Sequence, residues 1–249
     1  MDNETTHNNV SKIIYGNVDD FVFTQAVEYL KEKIVVMPDT YKQLQEEYKS
    51  LAFSVAGYTE LNILQEFLIK LTKAVEGGQT RQTFAKDMNT FLEERGFVGI
   101  NPSRAKTIFE TNVQTAFNVG HFESMSTDIV KKMRPYWRYE TAGDGHVRDE
   151  HAVMHGKVYS ASDPIWDIWY PPNGFNCRCS VVSLSKRQVK EQGLKVEDEP
   201  EYTLNLETGE LSPSFPDKGF SNNPAKEKWQ PDLSSFPDYL QEAYKARVN

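Results

Sequence analysis

The chain has 249 residues, 28 Lys and Arg against 36 Asp and Glu for a net charge of -8, 12% aromatic side chains and two cysteines. That composition excludes a collagen, a chain disordered throughout and a disulfide scaffold, and it supplies enough apolar material for one large domain or two small ones. The longest apolar runs, such as Ile34-Val35-Val36-Met37, fall far short of the roughly 20 residues that cross a bilayer, and the acidic balance argues against a dedicated nucleic-acid coat.

Residues 1–19 read as a flexible N-terminus. The start Met1-Asp2-Asn3-Glu4-Thr5-Thr6-His7 lacks the basic-then-apolar pattern of a secretory signal, so a reducing, cytosolic compartment is the expectation. From residue 20 to about 130 apolar residues recur at helical spacing. The first predicted helix runs from Asp20 to about Lys33, with Phe23, Ala26, Val27, Leu30 and Ile34 on one face. Asp39 opens a second, carrying Tyr41, Leu44, Tyr48, Leu51 and Ala52. The third has Thr59 as N-cap, a stripe of Leu61, Leu64, Leu68, Leu71 and Val75, and Gly77-Gly78 as its stop. Thr80 caps a fourth, with Phe84, Met88, Phe91 and Leu92 inward and Gly96 at its end. Asn101-Pro102 begins a fifth, in which Ile108, Phe109, Val113, Ala116 and Phe117 face the core.

Beyond Met133 the helical period gives way to short aromatic runs: Tyr136-Trp137-Arg138-Tyr139, Lys157-Val158-Tyr159 and Cys179 to Leu184. These predict a small sheet. Ser185 is placed to cap a short helix through Gly193, and Tyr202 to Leu206 reads as a strand entering a turn. From Ser212 onward Pro213, Pro216, Pro224, Pro231 and Pro237 break any long element, leaving a surface tail with a short helix near Tyr239. The predicted fold class is α+β: a helical domain over 20–130, a small aromatic-rich module over 131–211, and an irregular proline-rich tail over 212–249.

Chemistry-bearing residues concentrate in that module. His151 and His155 are four apart and share one face on a helical turn, whereas Cys177 and Cys179 share one face of a strand with Arg178 pointing the other way. Two thiolates and two imidazoles are a standard tetrahedral zinc set, although one residue between cysteines is a shorter spacing than zinc fingers use. The competing reading is two small buried thiols and solvated histidines. A disulfide between neighbours so close in sequence would be strained and is disfavoured by a reducing compartment. Asp144, His146, Arg148, Asp149, Glu150 and His151 crowd one glycine-bounded loop, which suits either a general base with a phosphate clamp or a solvated turn. Lys131, Lys132, Arg134 and Arg138 form a basic strip, read equally as a local DNA contact or a solvated strand edge. In the stretch from Asp163 to Cys179, Trp166, Trp169, Tyr170 and Phe175 supply enough apolar area for a mini-core of their own, held by prolines and an Asn-Gly turn.

The run Arg134-Pro135-Tyr136-Trp137-Arg138-Tyr139, followed by Val147-Arg148-Asp149-Glu150-His151, Gly156-Lys157-Val158, Asp163-Pro164-Ile165-Trp166 and Tyr170-Pro171-Pro172-Asn173-Gly174-Phe175-Asn176-Cys177-Arg178-Cys179, resembles the phage Mu F-like minor head protein family. Ala52-Phe53-Ser54-Val55-Ala56-Gly57 and Thr111-Asn112-Val113-Gln114-Thr115-Ala116-Phe117 with Gly120 resemble the helical half of the same family. The resemblance implies a minor capsid protein of a tailed phage or prophage, present in the virion head and in the host cytoplasm during assembly. Its implied partners are the portal and capsid proteins and, locally, packaged double-stranded DNA. Catalysis is not implied. Other branches of the family carry further cysteines ahead of the Cys-Arg-Cys in an arrangement resembling a metal site. Here the matching stretch offers His151 and His155, and Asn173-Gly174-Phe175 stands where those branches often show a histidine. The alternative function is a metal-assisted nuclease or toxin-like hydrolase built on Arg148, His151, His155, Cys177 and Cys179.

Overall fold

In the computed structural model, which describes residues 23–44, 49, 51–198, 202–204, 211–213 and 216–226, the helical periodicity of the first half becomes α1 (Thr24–Lys31), α2 (Pro38–Gln43), α3 (Leu61–Glu76), α4 (Arg81–Glu93) and α5 (Pro102–Ser126). The caps explain the boundaries. Thr80 Oγ1 accepts from the Thr83 amide at 3.2 Å. Asn101 Oδ1 accepts from that of Arg104 at 2.9 Å, with Pro102 in the first turn of α5. Gly78 (φ +61°) and Gly96 (φ +77°) take the left-handed conformation after α3 and α4. Ala26, Val27, Leu30, Leu64, Leu68, Leu71, Val75, Phe84, Met88 and Leu92 are buried in one core, as their spacing predicts, and Ile63 and Phe67 join them.

Several expectations are corrected. Ile34 and Ala52 are not helical: β1 (Ile34–Val35) pairs in parallel with β2 (Ala52–Phe53) in the register Ile34 to Ala52. The β-branched run before Pro38 explains this, because a following proline pushes Met37 into extended backbone (φ -65°, ψ 148°). α2 therefore opens on Pro38 rather than Asp39 and stops at Gln43; Tyr48 lies outside the described residues. The residue before α3 is Glu60 rather than Thr59, without a side-chain cap, and Leu61 is 54% exposed instead of lining the stripe. Phe117 is 40% exposed, stacked on Phe23 with ring centroids 5.8 Å apart, while the neighbouring Ala116 turns fully inward.

α5 joins the two halves. Its 25 residues span about 37 Å at 1.5 Å per residue. Ala105 and Ala116 lie in the helical core, whereas Phe122 and Met125, about two turns further, lie in a second core. Gly120 marks the crossing with α1: a Cβ there would sit 3.0 Å from the Ala26 nitrogen and 3.0 Å from the Phe23 ring. A side chain there would force α1 and α5 apart by a few tenths of an ångström.

The second half contains α6 (Asp128–Met133), β3 (Tyr136–Glu140), α7 (Asp149–Ala152), β4 (Val158–Ser160), α8 (Ile165–Ile168), β5 (Ser180–Leu184) and α9 (Lys186–Glu191). The sheet order is β4-β3-β5, antiparallel throughout, with Trp137 opposite both Tyr159 and Ser183, and Tyr139 opposite Val181. Strand alternation turns Trp137 and Tyr139 inward, both with no exposed surface. Trp166, Trp169 and Tyr170 fill the space between sheet and α5, so these rings of the aromatic loop form a core as expected, but Phe175 stays outside it at 58% exposed. Phe122 of α5 meets Trp137 at 5.5 Å and Tyr170 at 4.9 Å, both edge to face. A capping box joins Ser185 and Gln188 at the start of α9, and Gly193 (φ +61°) follows its end.

β6 (Tyr202–Leu204) pairs antiparallel with β7 (Leu211–Pro213), and the helix expected near Tyr239 lies outside the described residues. The mixed architecture is α+β. Residues 216–226 dock on the aromatic loop: the Asp217 amide donates to the Asn173 carbonyl at 3.0 Å, Phe220 packs edge-on against Phe175 at 5.0 Å, and buried Asn223 donates to the Trp166 carbonyl at 2.9 Å.

Candidate metal centre

α7 is a single turn that starts after Arg148, and its third residue, His151, points into the second core at 2% exposure. The chain returns opposite it through Asn176, a turn residue at φ +55°, and places Cys177 and Cys179 just ahead of β5. His151 Nδ1 lies 3.8 Å from each sulfur, and the three ligand-type atoms fall within 4.8 Å of one another. Both cysteines are free thiols and buried. Arg178, between them, faces outward although the strand begins only at Ser180, and grips Asp144 through two bonds of 2.6 and 2.7 Å. That contact holds the Asp144 carboxyl below the usual carboxylate range.

The segment from Asn176 to Val181 is fixed to α5 largely through its carbonyls. Gln114 Nε2 and Asn118 Nδ2 donate to the Cys179 carbonyl at 3.1 and 3.3 Å, and His121 Nε2 donates to that of Val181 at 3.0 Å. Tyr170 OH in turn donates to the Asn118 carbonyl at 3.0 Å. The Asn176 amide donates to Thr111 Oγ1 at 3.1 Å. A buried carbonyl without a donor is costly, so this row of polar side chains is what a helix beside an irregular loop requires.

Asn173 is the centre of the arrangement, with no exposed surface. Its Oδ1 accepts from Tyr139 OH at 2.7 Å, and its carbonyl accepts from the Asp217 amide and from His151 Nε2 at 3.1 Å. A carbonyl only accepts, so Nε2 carries a proton and Nδ1 presents its lone pair to the two sulfurs. Asp217 Oδ1 stands 3.7 Å from the same Nε2, and Arg148 Nη1 lies 3.6 Å from Asp217 Oδ2. A histidine oriented by a carbonyl and a carboxylate on its far nitrogen is the outer-shell arrangement of a metal ligand.

The thiols are strongly differentiated. Hydrogen bonding from Cys179 pulls Cys177 down to about 4 against the cost of burial, with further help from His151 and from the backbone amides of Asn173 and Cys179. The thiolate beside it, with burial, pushes Cys179 up. Burial draws His151 down, but the Cys177 thiolate more than offsets this and leaves its pKa raised. Burial also raises Tyr139 and Tyr170.

The donor set fits zinc. Zn–S and Zn–N bonds of about 2.3 and 2.0 Å put neighbouring donors of a tetrahedron roughly 3.5–3.8 Å apart, and the sulfur–nitrogen distances here are 3.8 Å. His151, Cys177 and Cys179 would hold the ion and His155 would not. α7 ends at Ala152, so the helical relation that pairs residues four apart is lost, and His155 Nδ1 instead accepts from the Thr141 amide at 3.1 Å. It is half-exposed, with Glu140 Oε2 at 3.8 Å.

The basic strip is divided. Arg134 Nε donates to Ser183 Oγ at 2.8 Å and its Nη2 to the Ser183 carbonyl; Arg138 pairs with Glu140 and donates to Gln192 at 3.1 Å. These two arginines brace the sheet edge. Lys131 and Lys132 stand on α6, the former 6.0 Å from the Trp137 ring centroid.

The other motif residues have local tasks. Arg148 Nη2 donates to the Phe175 carbonyl at 2.7 Å, and the Gly156 amide (φ +76°) to that of Tyr139 at 2.9 Å. Asp163 Oδ1 accepts from the Ile165 amide at 2.9 Å, Pro164 leads into α8, and Trp166 Nε1 donates to the Ser160 carbonyl at 2.8 Å. Pro171-Pro172 is a cis peptide. A Cβ on Gly174 would crowd the Asp217 carboxylate and the Arg148 guanidinium, so a larger residue there would make these two side chains shift. Sequence reasoning gives Asn173, Tyr139, Asp217 and the α5 donors no role at the site. An asparagine beside glycine reads as a turn, and hydrogen bonds between residues 34 to 65 positions apart leave no periodic signal.

The profile of the Phage Mu protein F like family matches residues 65–182, which carry α3 through most of β5 together with all three candidate ligands. Over these residues the chain belongs to the Phage Mu protein F like family. It is 33% identical over 168 residues to the Mu-like prophage FluMu F protein of Haemophilus influenzae, covering 63% of this chain and 40% of that protein. It is also 33% identical over 189 residues to protein F of Escherichia phage Mu, whose name assigns it to capsid assembly, covering 69% of this chain and 42% of that protein. The Mu F-like chain thus spans about two fifths of the length of these relatives. No solved structure matches it.

Proposed function

We propose that this Mu F-like chain is a minor structural component of a tailed-phage or prophage head, acting in head assembly in the host cytoplasm, retained in the virion head and placed beside the portal. The observation that carries this reading is the family match, which runs across α5 and so takes in parts of both cores and the Cys–His cluster. Its partners are portal and capsid proteins, and contact with packaged double-stranded DNA is limited to Lys131 and Lys132. Zinc held by His151, Cys177 and Cys179 acts as a staple that ties α7 to the segment ahead of β5 in a module too small to hold an irregular loop by packing alone. A structural rather than catalytic role is supported by the burial of all three groups, each no more than 4% exposed, which keeps a reacting substrate from them. Among the described residues no helix is long and apolar enough to cross a membrane.

The test is deletion of the gene from the phage or prophage that encodes it. The yield of DNA-filled heads should fall and be restored in trans by the intact gene, but not by one carrying Cys177→Ser with Cys179→Ser. An unchanged yield of filled, infectious heads refutes the assignment.

A second reading, metal-assisted nucleic-acid hydrolysis, draws on one observation: a cleft of about 560 Å³ beside Cys177, lined by Lys106, His146, Arg148 and Arg178. It predicts cleavage of DNA or RNA by the zinc-loaded full chain that His151→Ala abolishes while the fold survives. Absence of cleavage with zinc, magnesium or manganese eliminates it.

A further inference from the structure

Three buried donors leave one corner of a tetrahedron unassigned. A cavity of about 20 Å³ lies beside them, lined by His151, Cys177 and Cys179 together with the loop residues Ala142, His146, Val147 and Arg148. It is large enough for one water-sized group. His146 is the one further imidazole in its wall, and its side chain is exposed and outside the 4.8 Å group.

We infer that His146 supplies the fourth ligand and closes a Cys2His2 site. This rests on the zinc reading proposed above. Three observations point to His146 rather than to His155 or Asp217. First, the loop is already tethered to the ligands: Asp144 accepts from the His146 amide at 3.1 Å and grips Arg178, the residue between the two cysteines. Second, open space surrounds the loop glycines, since a Cβ on Gly143 or Gly145 would meet nothing within 4 Å. Third, the competitors are held elsewhere. His155 is bonded to Thr141, and Asp217 faces the far nitrogen of His151. Two thiolates and two neutral imidazoles also give a neutral site, which suits its buried surroundings, and structural zinc sites are closed by four protein ligands.

The test uses the full chain made metal-free and titrated with cobalt and then zinc, with affinity read by competition against a chelator. The unaltered chain should bind one equivalent, with thiolate-to-cobalt charge-transfer bands and tetrahedral d–d bands. His146→Ala should fold, because the side chain is exposed, as checked by far-UV circular dichroism. It should weaken zinc binding by at least the roughly 10–100-fold that outer-shell changes cost, and alter the d–d bands. His146→Cys should restore tight binding and add a third thiolate increment to the charge-transfer band; His155→Ala should match the unaltered chain. If the unaltered chain binds one equivalent and His146→Ala binds as tightly with the same cobalt spectrum, the fourth position belongs to water or another group and the inference is overturned. If the unaltered chain takes up neither ion, the zinc reading itself falls and this inference falls with it.

Discussion

The Cys179 carbonyl is the point where α5 holds the ligand-bearing segment, and its two donors make a quantitative test. Gln114→Met and Asn118→Leu each remove one amide donor while keeping bulk, and each leaves the carbonyl with the other partner at 3.3 or 3.1 Å. Each single change should cost about 0.5–1.5 kcal/mol, the net worth of one hydrogen bond. The double variant leaves a buried carbonyl with no donor, at a further cost of about 1–3 kcal/mol, so the cycle should show coupling of about 1 kcal/mol or more. Urea unfolding followed by tryptophan fluorescence is the assay, since Trp137, Trp166 and Trp169 all lie in the second core and report on that half. Costs that add to within roughly 0.3–0.5 kcal/mol would refute the claim that this carbonyl is a shared anchor.

Gly174→Ala should displace the Asp217 and Arg148 side chains, at the low end of the about 1–3 kcal/mol that overpacking costs, and weaken the docking of residues 216–226; limited proteolysis of the tail should accelerate, and unchanged cleavage would contradict this. In the metal-free chain, Cys177 has its pKa lowered to about 4, so the folded state holds a thiolate where the unfolded chain binds a proton. Its contribution to stability is present above the ordinary thiol range and lost as pH falls through about 4, whereas that of His151, whose pKa is raised, is full below the ordinary imidazole range and fades as pH rises through its folded value. Thiolate absorbance near 240 nm should therefore persist at neutral pH and vanish on acidification toward 4; a titration confined to the ordinary thiol range would contradict it. Chelation of the proposed zinc from the full chain should lower the unfolding temperature, because removing a ligand that binds only the native state takes away about 4 kcal/mol of stability where free zinc stood at a thousand times its dissociation constant; an unchanged unfolding temperature would contradict the zinc reading. Gly120→Val should separate α1 from α5, read as a lowered midpoint of the helical unfolding signal, and an unchanged midpoint would count against the close crossing.

Much of the fold was legible because caps and periodicity are local. Thr80, Asn101-Pro102, Gly77-Gly78 and the Ser185 capping box mark helix ends by chemistry that operates within one turn. The failures share a cause. Ile34 and Ala52 fit a helical stripe by spacing, but each finds its partner eighteen positions away in a two-residue parallel pair, which no periodicity encodes. At the site, Cys177, Cys179 and His151 were legible from residue type and alternation. His155 was misplaced because the spacing argument assumes a helix that continues, and α7 stops after four residues. Asn173 and Asp217 were invisible for a different reason: an asparagine before glycine and an aspartate in a proline-rich tail gain meaning only from the loop they close.

The most direct test of the central claim is quantitative mass spectrometry of gradient-purified heads from the encoding phage or induced prophage. The account predicts this chain at low stoichiometry, co-sedimenting with the portal and major capsid proteins. Its absence from both procapsids and filled heads, with those proteins present, would contradict a structural role in the head and turn attention to the Cys–His cluster as the seat of an activity.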